Sequence, residues 1–173
     1  MDPLEILFVH EVMRTNIAVL PVKLSPGDVP HSKHAARRGQ RLYPVVTPER
    51  ELVGVVTRRE LNQLAGHGSS GELTGVMRKD PVIAHADEPL RVVVYRMAET
   101  GVTRMPVIDS GGKLAGIISL EDLLRARVRD LEEERRRERV LRIHLPFGGA
   151  RALEDERQPF SIGSKPDSSS GVG

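Results

Sequence analysis

Two short constellations set a hydroxyl three residues ahead of an acid: Ser119 with Asp122, and Thr57 with Glu60. A carboxylate brings two acceptor oxygens and a hydroxyl can both give and accept, so either pair suits the edge of a polar ligand site. At a helix start the same spacing is a capping box, which satisfies free backbone N–H groups. Glu is the usual acid of that box, so Thr57 and Glu60 read as a cap, while Ser119 and Asp122 suit both tasks. His31 and His34 stand at i, i+3 without a carboxylate close by in sequence, and His10, His67, His85 and His144 have no ligand spacing, so no metal site is expected. The chain has no cysteine, which removes disulfides and thiolate chemistry and fits a reducing compartment such as the cytoplasm. No P-loop, GxGxxG run or nucleophile elbow occurs, so no catalytic residue is expected.

The elements that must position these pairs are written twice. Val12-Met13-Arg14 returns as Val76-Met77-Arg78, Tyr43-Pro44-Val45-Val46 as Met105-Pro106-Val107-Ile108, and Gly54-Val55-Val56-Thr57 as Gly116-Ile117-Ile118-Ser119. Each copy reads as a helix end, an extended segment, a helix, two strands joined by a turn, and a closing helix that starts at Thr57 or Ser119. In the second copy Asp87 is expected to cap a helix with Pro89 in its first turn. Leu90, Val93, Val94, Met97 and Ala98 give that helix its apolar stripe, and Gly101 ends it. In the first copy Ser25 to Arg41 contains Pro26, Gly27 and Pro30, which predicts a short, distorted or mobile helix. Asp109-Ser110-Gly111-Gly112-Lys113 is a strong hairpin turn, Thr47-Pro48-Glu49-Arg50-Glu51 a weaker one, and Gly66 to Gly71 a linker.

The expected organisation is a leading segment 1–11, a first repeat 12–66, a linker 67–74, a second repeat 75–127, a charged helix 128–145 and a disordered tail 146–173. Glu132 to Arg136, Glu133 to Arg137 and Glu138 to Arg142 have the favourable acid-to-base i, i+4 order. Leu120, Leu123, Leu124, Val128 and Leu131 are expected to bury one side of the closing helix, in the core or against a second copy. Hydrophobic residues make up 39% and aromatics 3%, without tryptophan, so the core must be aliphatic, as suits α/β layering. The net charge of +2 and the interleaved acids give little reason to expect nucleic acid. No apolar run approaches the roughly 20 residues that span a bilayer.

This doubled order of motifs, from about Val9 to Arg125, resembles a tandem pair of CBS domains, also called a Bateman module. The resemblance implies an α/β (α+β) fold of two pseudo-symmetric β-α-β-β-α repeats packed through their sheets. It also implies a non-catalytic regulatory role and pairing into a homodimer. Family members commonly hold adenosine-containing ligands, such as ATP, ADP, AMP or S-adenosylmethionine, between repeats. By resemblance, Asp122 meets the ribose hydroxyls, Ser119 meets ribose or phosphate, Val82, Ile83 and Ala84 give backbone contacts to the base, and Arg104 beside Pro106 meets phosphate. Val19, Thr57 and Glu60 hold the weaker matching places in the other cleft. Asp2-Pro3-Leu4-Glu5 and the charged run from Leu131 to Leu141 are similar to the flanks of the cytoplasmic part of prokaryotic chloride channel proteins, which implies a membrane transport partner. The other implied role is a structural dimerisation module whose clefts are vestigial.

Overall fold

The structure is a computed structural model that describes residues 2–24, 39–66 and 73–144. The described residues up to Asp130 belong to one compact unit and those from Leu131 to His144 to a second. Most of the Ser25–Arg41 segment, the linker residues 67–72 and the expected tail lie outside the described residues.

The N-terminal segment forms two single-turn helices, α1 (Pro3–Ile6) and α2 (Val9–Val12). Strands β1 (Leu20–Pro21), β2 (Leu42–Val46) and β3 (Leu52–Thr57) then make a sheet in sequence order, and helix α3 (Arg58–Gly66) follows. The second copy repeats this with a 3-10 turn at Leu73–Gly75, strand β4 (Ala84–His85), helix α4 (Leu90–Thr100), strands β5 (Arg104–Ile108) and β6 (Leu114–Ser119), and helix α5 (Leu120–His144). In both sheets the two-residue outer strand pairs parallel to the middle strand, the hairpin is antiparallel, and the register shifts once, at Val45/Val46 or Val107/Ile108.

Each sheet builds its own aliphatic core, but each core is completed by the start of the other copy. Val9 of α2 is fully buried with Ala84, Val93, Met105 and Ile118, whereas Leu73 and Met77 are buried with Leu20, Tyr43 and Val56. Backbone pairing follows the same exchange. Arg14 bonds Ile117 in both directions at 2.9 and 3.0 Å, and Arg78 bonds Val55 at 2.9 and 3.0 Å. The glycine before each bonded strand residue is what admits this approach. A Cβ at Gly116 would lie 2.5 Å from the Arg14 carbonyl oxygen, and one at Gly54 would lie 2.6 Å from that of Arg78. The two hairpin turns also meet, where the Leu114 N–H donates to the Arg50 carbonyl at 2.9 Å and Lys113 pairs with Glu51 at 3.5 Å.

Local expectations mostly hold, with departures on α4 and α5. Asp87 does not cap α4; Pro89 sits at the cap position with extended backbone and no side-chain bond, and the helix begins at Leu90. On its inner face Leu90, Val93 and Met97 are buried but Ala98 is exposed, while Gly101 ends the helix at φ 73° as expected. On α5, Leu123 is buried but Leu120, Leu124 and Val128 are 40, 57 and 54% exposed, so this chain alone does not cover them. Among the described residues α5 closes a Glu121–Arg125 pair at 3.7 Å and neither Glu132–Arg136 nor Glu133–Arg137. Exposed pairs gain too little to hold two long side chains in one geometry. None of the described helices is long and apolar enough to cross a membrane.

The acid that matters next to Asp87 is Glu88. It receives both Arg96 Nη atoms at 2.7 and 2.8 Å and the His85 N–H at 2.9 Å, while Arg96 also donates to the Ile83 carbonyl. These bonds, Arg96 foremost, hold the Glu88 carboxyl below the usual range against an opposing effect of burial. A depressed carboxylate stabilises the fold fully above its unfolded value of about 4.3, and that contribution is lost as pH falls through the lower folded value. Glu88→Gln is therefore expected to cost roughly 1–2 kcal/mol at neutral pH. In thermal melts across pH 3–7, the gap from the unaltered chain should close in acid.

Candidate functional site

The junction of β6 and α5 builds the site. Asp122 is 5% exposed, alone among charged or polar side chains in the described core. Its Oδ2 accepts the Ser119 backbone N–H at 2.9 Å and the Ser119 hydroxyl at 2.8 Å, and Ser119 Oγ accepts the Asp122 N–H at 3.3 Å. Oδ1 accepts from Arg14 Nε at 3.0 Å. The capping box is thus formed, and three of roughly four acceptor directions of the carboxylate are used. The other copy repeats the pattern more loosely. Thr57 and Glu60 cap each other at 2.9 and 3.2 Å, and Arg78 reaches Glu60 at 3.4 Å. Both ion pairs cross between copies, because the Val-Met-Arg triplet that starts one copy docks on the strand that ends the other.

A cavity of about 360 Å³ opens beside Asp122. Ser119, Asp122, Glu121 and Arg125 line it from α5 and its approach, Arg14, Asn16 and Ile17 from the first triplet and the chain after it, Gln40 and Arg41 from the stretch just before β2, and Leu42, Arg104 and Ile117 from the strands. Gln40 fastens the wall. Its amide accepts from the Ala18 N–H at 2.8 Å and donates to the carbonyls of Ala18 and Leu42 at 2.7 and 2.9 Å, which ties the segment after Ile17 to β2. Ile17, Leu42 and Ile117 offer apolar surface, Asp122 and Gln40 offer directional polar atoms, and the arginines offer positive charge. Such a mixture suits a flat heterocycle carrying hydroxyls and an anion.

Of the sequence-predicted residues, the structure brings Ser119, Asp122 and Arg104 to one cavity. Arg104 lies opposite Ser119 in the β5–β6 register, and Pro106 is buried two pairs further on, opposite the wall residue Ile117, and does not itself line the cavity. Val82, Ile83 and Ala84 do not line this cavity. Ala84 pairs with Val107 in the sheet, the Ile83 carbonyl is taken by Arg96, and Ile83 faces a different cleft with Lys79, Asp80 and Pro81. The extended segment beside Asp122 is Asn16-Ile17 instead, because the triplets are exchanged between copies. Val19 is half-buried just before β1, and Thr57 and Glu60 sit together at the matching place beside Arg78. Sequence reading missed Arg14, Asn16, Ile17 and Gln40. The repeated arginine of the two triplets was the available signal, since an identical charged residue in two apolar contexts asks for a partner. His31, His34 and His67 lie outside the described residues. Among the described residues no group of three His, Cys, Asp or Glu side chains could hold a metal ion.

The family model of the CBS domain matches residues 9–65 and again 71–129. The chain belongs to the CBS domain family. A CBS pair is accordingly the unit that Arg14 and Arg78 tie together. Residues of the chain are 34% identical over 84 positions to the inosine-5'-monophosphate dehydrogenase of Methanocaldococcus jannaschii, a match that covers 49% of this chain and 16% of that enzyme. Among solved structures, the CBS domain pair of protein MJ0100 in complex with 5-methylthioadenosine and S-adenosyl-L-methionine superposes with a TM-score of 0.58 at 21% identity, covering 69% of this chain and 94% of that one. CBSX2 in complex with AMP superposes with a TM-score of 0.59 at 24% identity, covering 70% and 96%. These likenesses fix the fold as that of a CBS pair, and those pairs hold adenosine compounds as ligands.

Proposed function

We propose that this CBS pair is a regulatory module which binds an adenosine-containing ligand in the Asp122 cavity. The observation that carries the reading is the buried Asp122 carboxylate, held by Arg14 from the opposite copy at the wall of a cavity whose lining comes from both. A ribose hydroxyl takes the open acceptor direction of Asp122 or the one Arg14 occupies, and the base lies against Ile17, Leu42 and Ile117. A ligand there touches both copies, so it favours one arrangement of them over another. Only a difference in affinity between arrangements can carry a signal.

The exposed Leu120, Leu124 and Val128 stripe supports pairing with a second copy, which would cover it. The flanking segments, similar to those of cytoplasmic chloride channel modules, support a membrane transport partner reached from the cytoplasm. A second reading rests on the completeness of the Asp122 bonding: as a cap and an ion pair it already has a structural task, and the module would then serve dimerisation alone. Calorimetric titration of the chain with AMP, ADP, ATP and S-adenosylmethionine separates the two. At least one should give binding heat and, at about 100 times its Kd, raise the melting temperature by about 5 °C or more. Absence of heat and shift with all four would leave the structural reading.

A further inference from the structure

Two of the cavity's arginines also belong to a neighbouring cleft. Arg41 and Arg104 line both the Asp122 cavity and an open cleft of about 690 Å³ that carries Arg58 and Arg59 and no acidic side chain. The Arg58 N–H donates to the Arg41 carbonyl at 2.9 Å, which sets those two residues side by side. In the Asp122 cavity the acids are already matched, Asp122 with Arg14 and Glu121 with Arg125. Among the described residues Arg41, Arg58, Arg59 and Arg104 make no ion pair, so four guanidinium charges stand uncompensated along one continuous surface. The two copies differ at this point: the first has Arg58-Arg59 where the second has Leu120-Glu121.

From this asymmetry we infer that the ligand is a nucleoside polyphosphate, whose phosphate chain leaves the Asp122 cavity over Arg41 and Arg104 and ends on Arg58 and Arg59. The inference rests on the adenosine-ligand reading and narrows it. A volume of about 360 Å³ is near the lower end of small-molecule sites. It suits a nucleoside with one phosphate, and further phosphates must pass outward. Guanidinium forks match phosphate oxygens in pairs of hydrogen bonds, whereas a sulfonium or free amino group would meet four like charges. Single-stranded nucleic acid would need aromatic stacking surfaces, and neither lining contains an aromatic residue.

The test titrates the full chain, and its Arg58→Gln/Arg59→Gln variant, with adenosine, AMP, ADP, ATP, S-adenosylmethionine and inorganic tripolyphosphate. Both substituted side chains are exposed, so the fold should be kept, and melting curves verify it. ADP and ATP should bind about tenfold tighter than AMP, and S-adenosylmethionine more weakly than ATP. The double variant should lose about tenfold for ATP while AMP stays within about twofold, and the ATP advantage should shrink with added salt. Equal affinity for AMP and ATP, S-adenosylmethionine as tight as ATP, or a variant that weakens AMP and ATP alike would overturn the inference and leave the adenosine reading intact. If no adenosine compound binds, the adenosine reading fails and tripolyphosphate decides the rest. Binding that the double variant weakens supports a polyphosphate cleft, and no binding overturns it.

Discussion

Gly116→Val should lower the melting temperature by roughly 10 °C and remove ligand binding. Valine favours strands, so on propensity alone the change would be neutral or better. The obstacle is contact: a Cβ at this position falls 2.5 Å from the Arg14 oxygen, 3.2 Å from Met13 Sδ and 3.3 Å from the Arg14 carbonyl carbon. The first of these is backbone and cannot swing away. Relief must push the Met13–Arg14 chain off β6, which breaks the two Arg14–Ile117 hydrogen bonds and draws Arg14 from Asp122. Overpacking and lost hydrogen bonds together give about 3 kcal/mol, and each kcal/mol moves the melting point by about 2–4 °C at this size. Because Arg14, Asn16 and Ile17 form one wall of the cavity, binding should fail even well below the melting point.

Asp122→Ala should cost about 2–3 kcal/mol of stability and weaken adenosine-ligand binding at least about 30-fold. Truncation removes the acceptor for the Ser119 N–H and hydroxyl and for Arg14 Nε, all at 3.0 Å or less. Arg14 is half exposed and can turn to water, which limits the loss; the Ser119 N–H lies in a part-buried setting and has less recourse. The matching change at the other cap should be milder. Glu60 is more exposed than Asp122, and its longer 3.4 Å contact with Arg78 contributes little.

The doubled unit was legible because repetition is robust to local ambiguity: two copies of Val-Met-Arg, of a Pro-Val-Val or Pro-Val-Ile strand, and of Gly-apolar-apolar-hydroxyl agree where one copy alone would not. The capping boxes were legible too, since they depend on residues three apart. What the sequence hid was the exchange of the leading segments. Arg14 and Asp122 are far apart in the chain, and no local pattern says which copy's triplet docks on which strand. Placing Val82–Ala84 beside Ser119 followed from the resemblance, whereas the Asp122 cavity is lined by Asn16 and Ile17, in keeping with the packing of Val9 and Leu73 into the opposite cores. The glycines held the clue. Both Gly54 and Gly116 stand inside an apolar strand, where a missing side chain marks close approach of another backbone. Asp87 misled for a simpler reason: Glu88 next to it wins Arg96 and the His85 N–H, and the helix starts after Pro89.

The claim that ligand binding centres on Asp122 is tested most directly by titrating AMP into the unaltered chain, Asp122→Ala and Glu60→Ala, each held well below its own melting temperature. The expected result is binding by the unaltered chain and by Glu60→Ala with affinities within about threefold, and a loss of at least about 30-fold in Asp122→Ala. Equal AMP affinity in all three folded proteins, or a loss confined to Glu60→Ala, would contradict it.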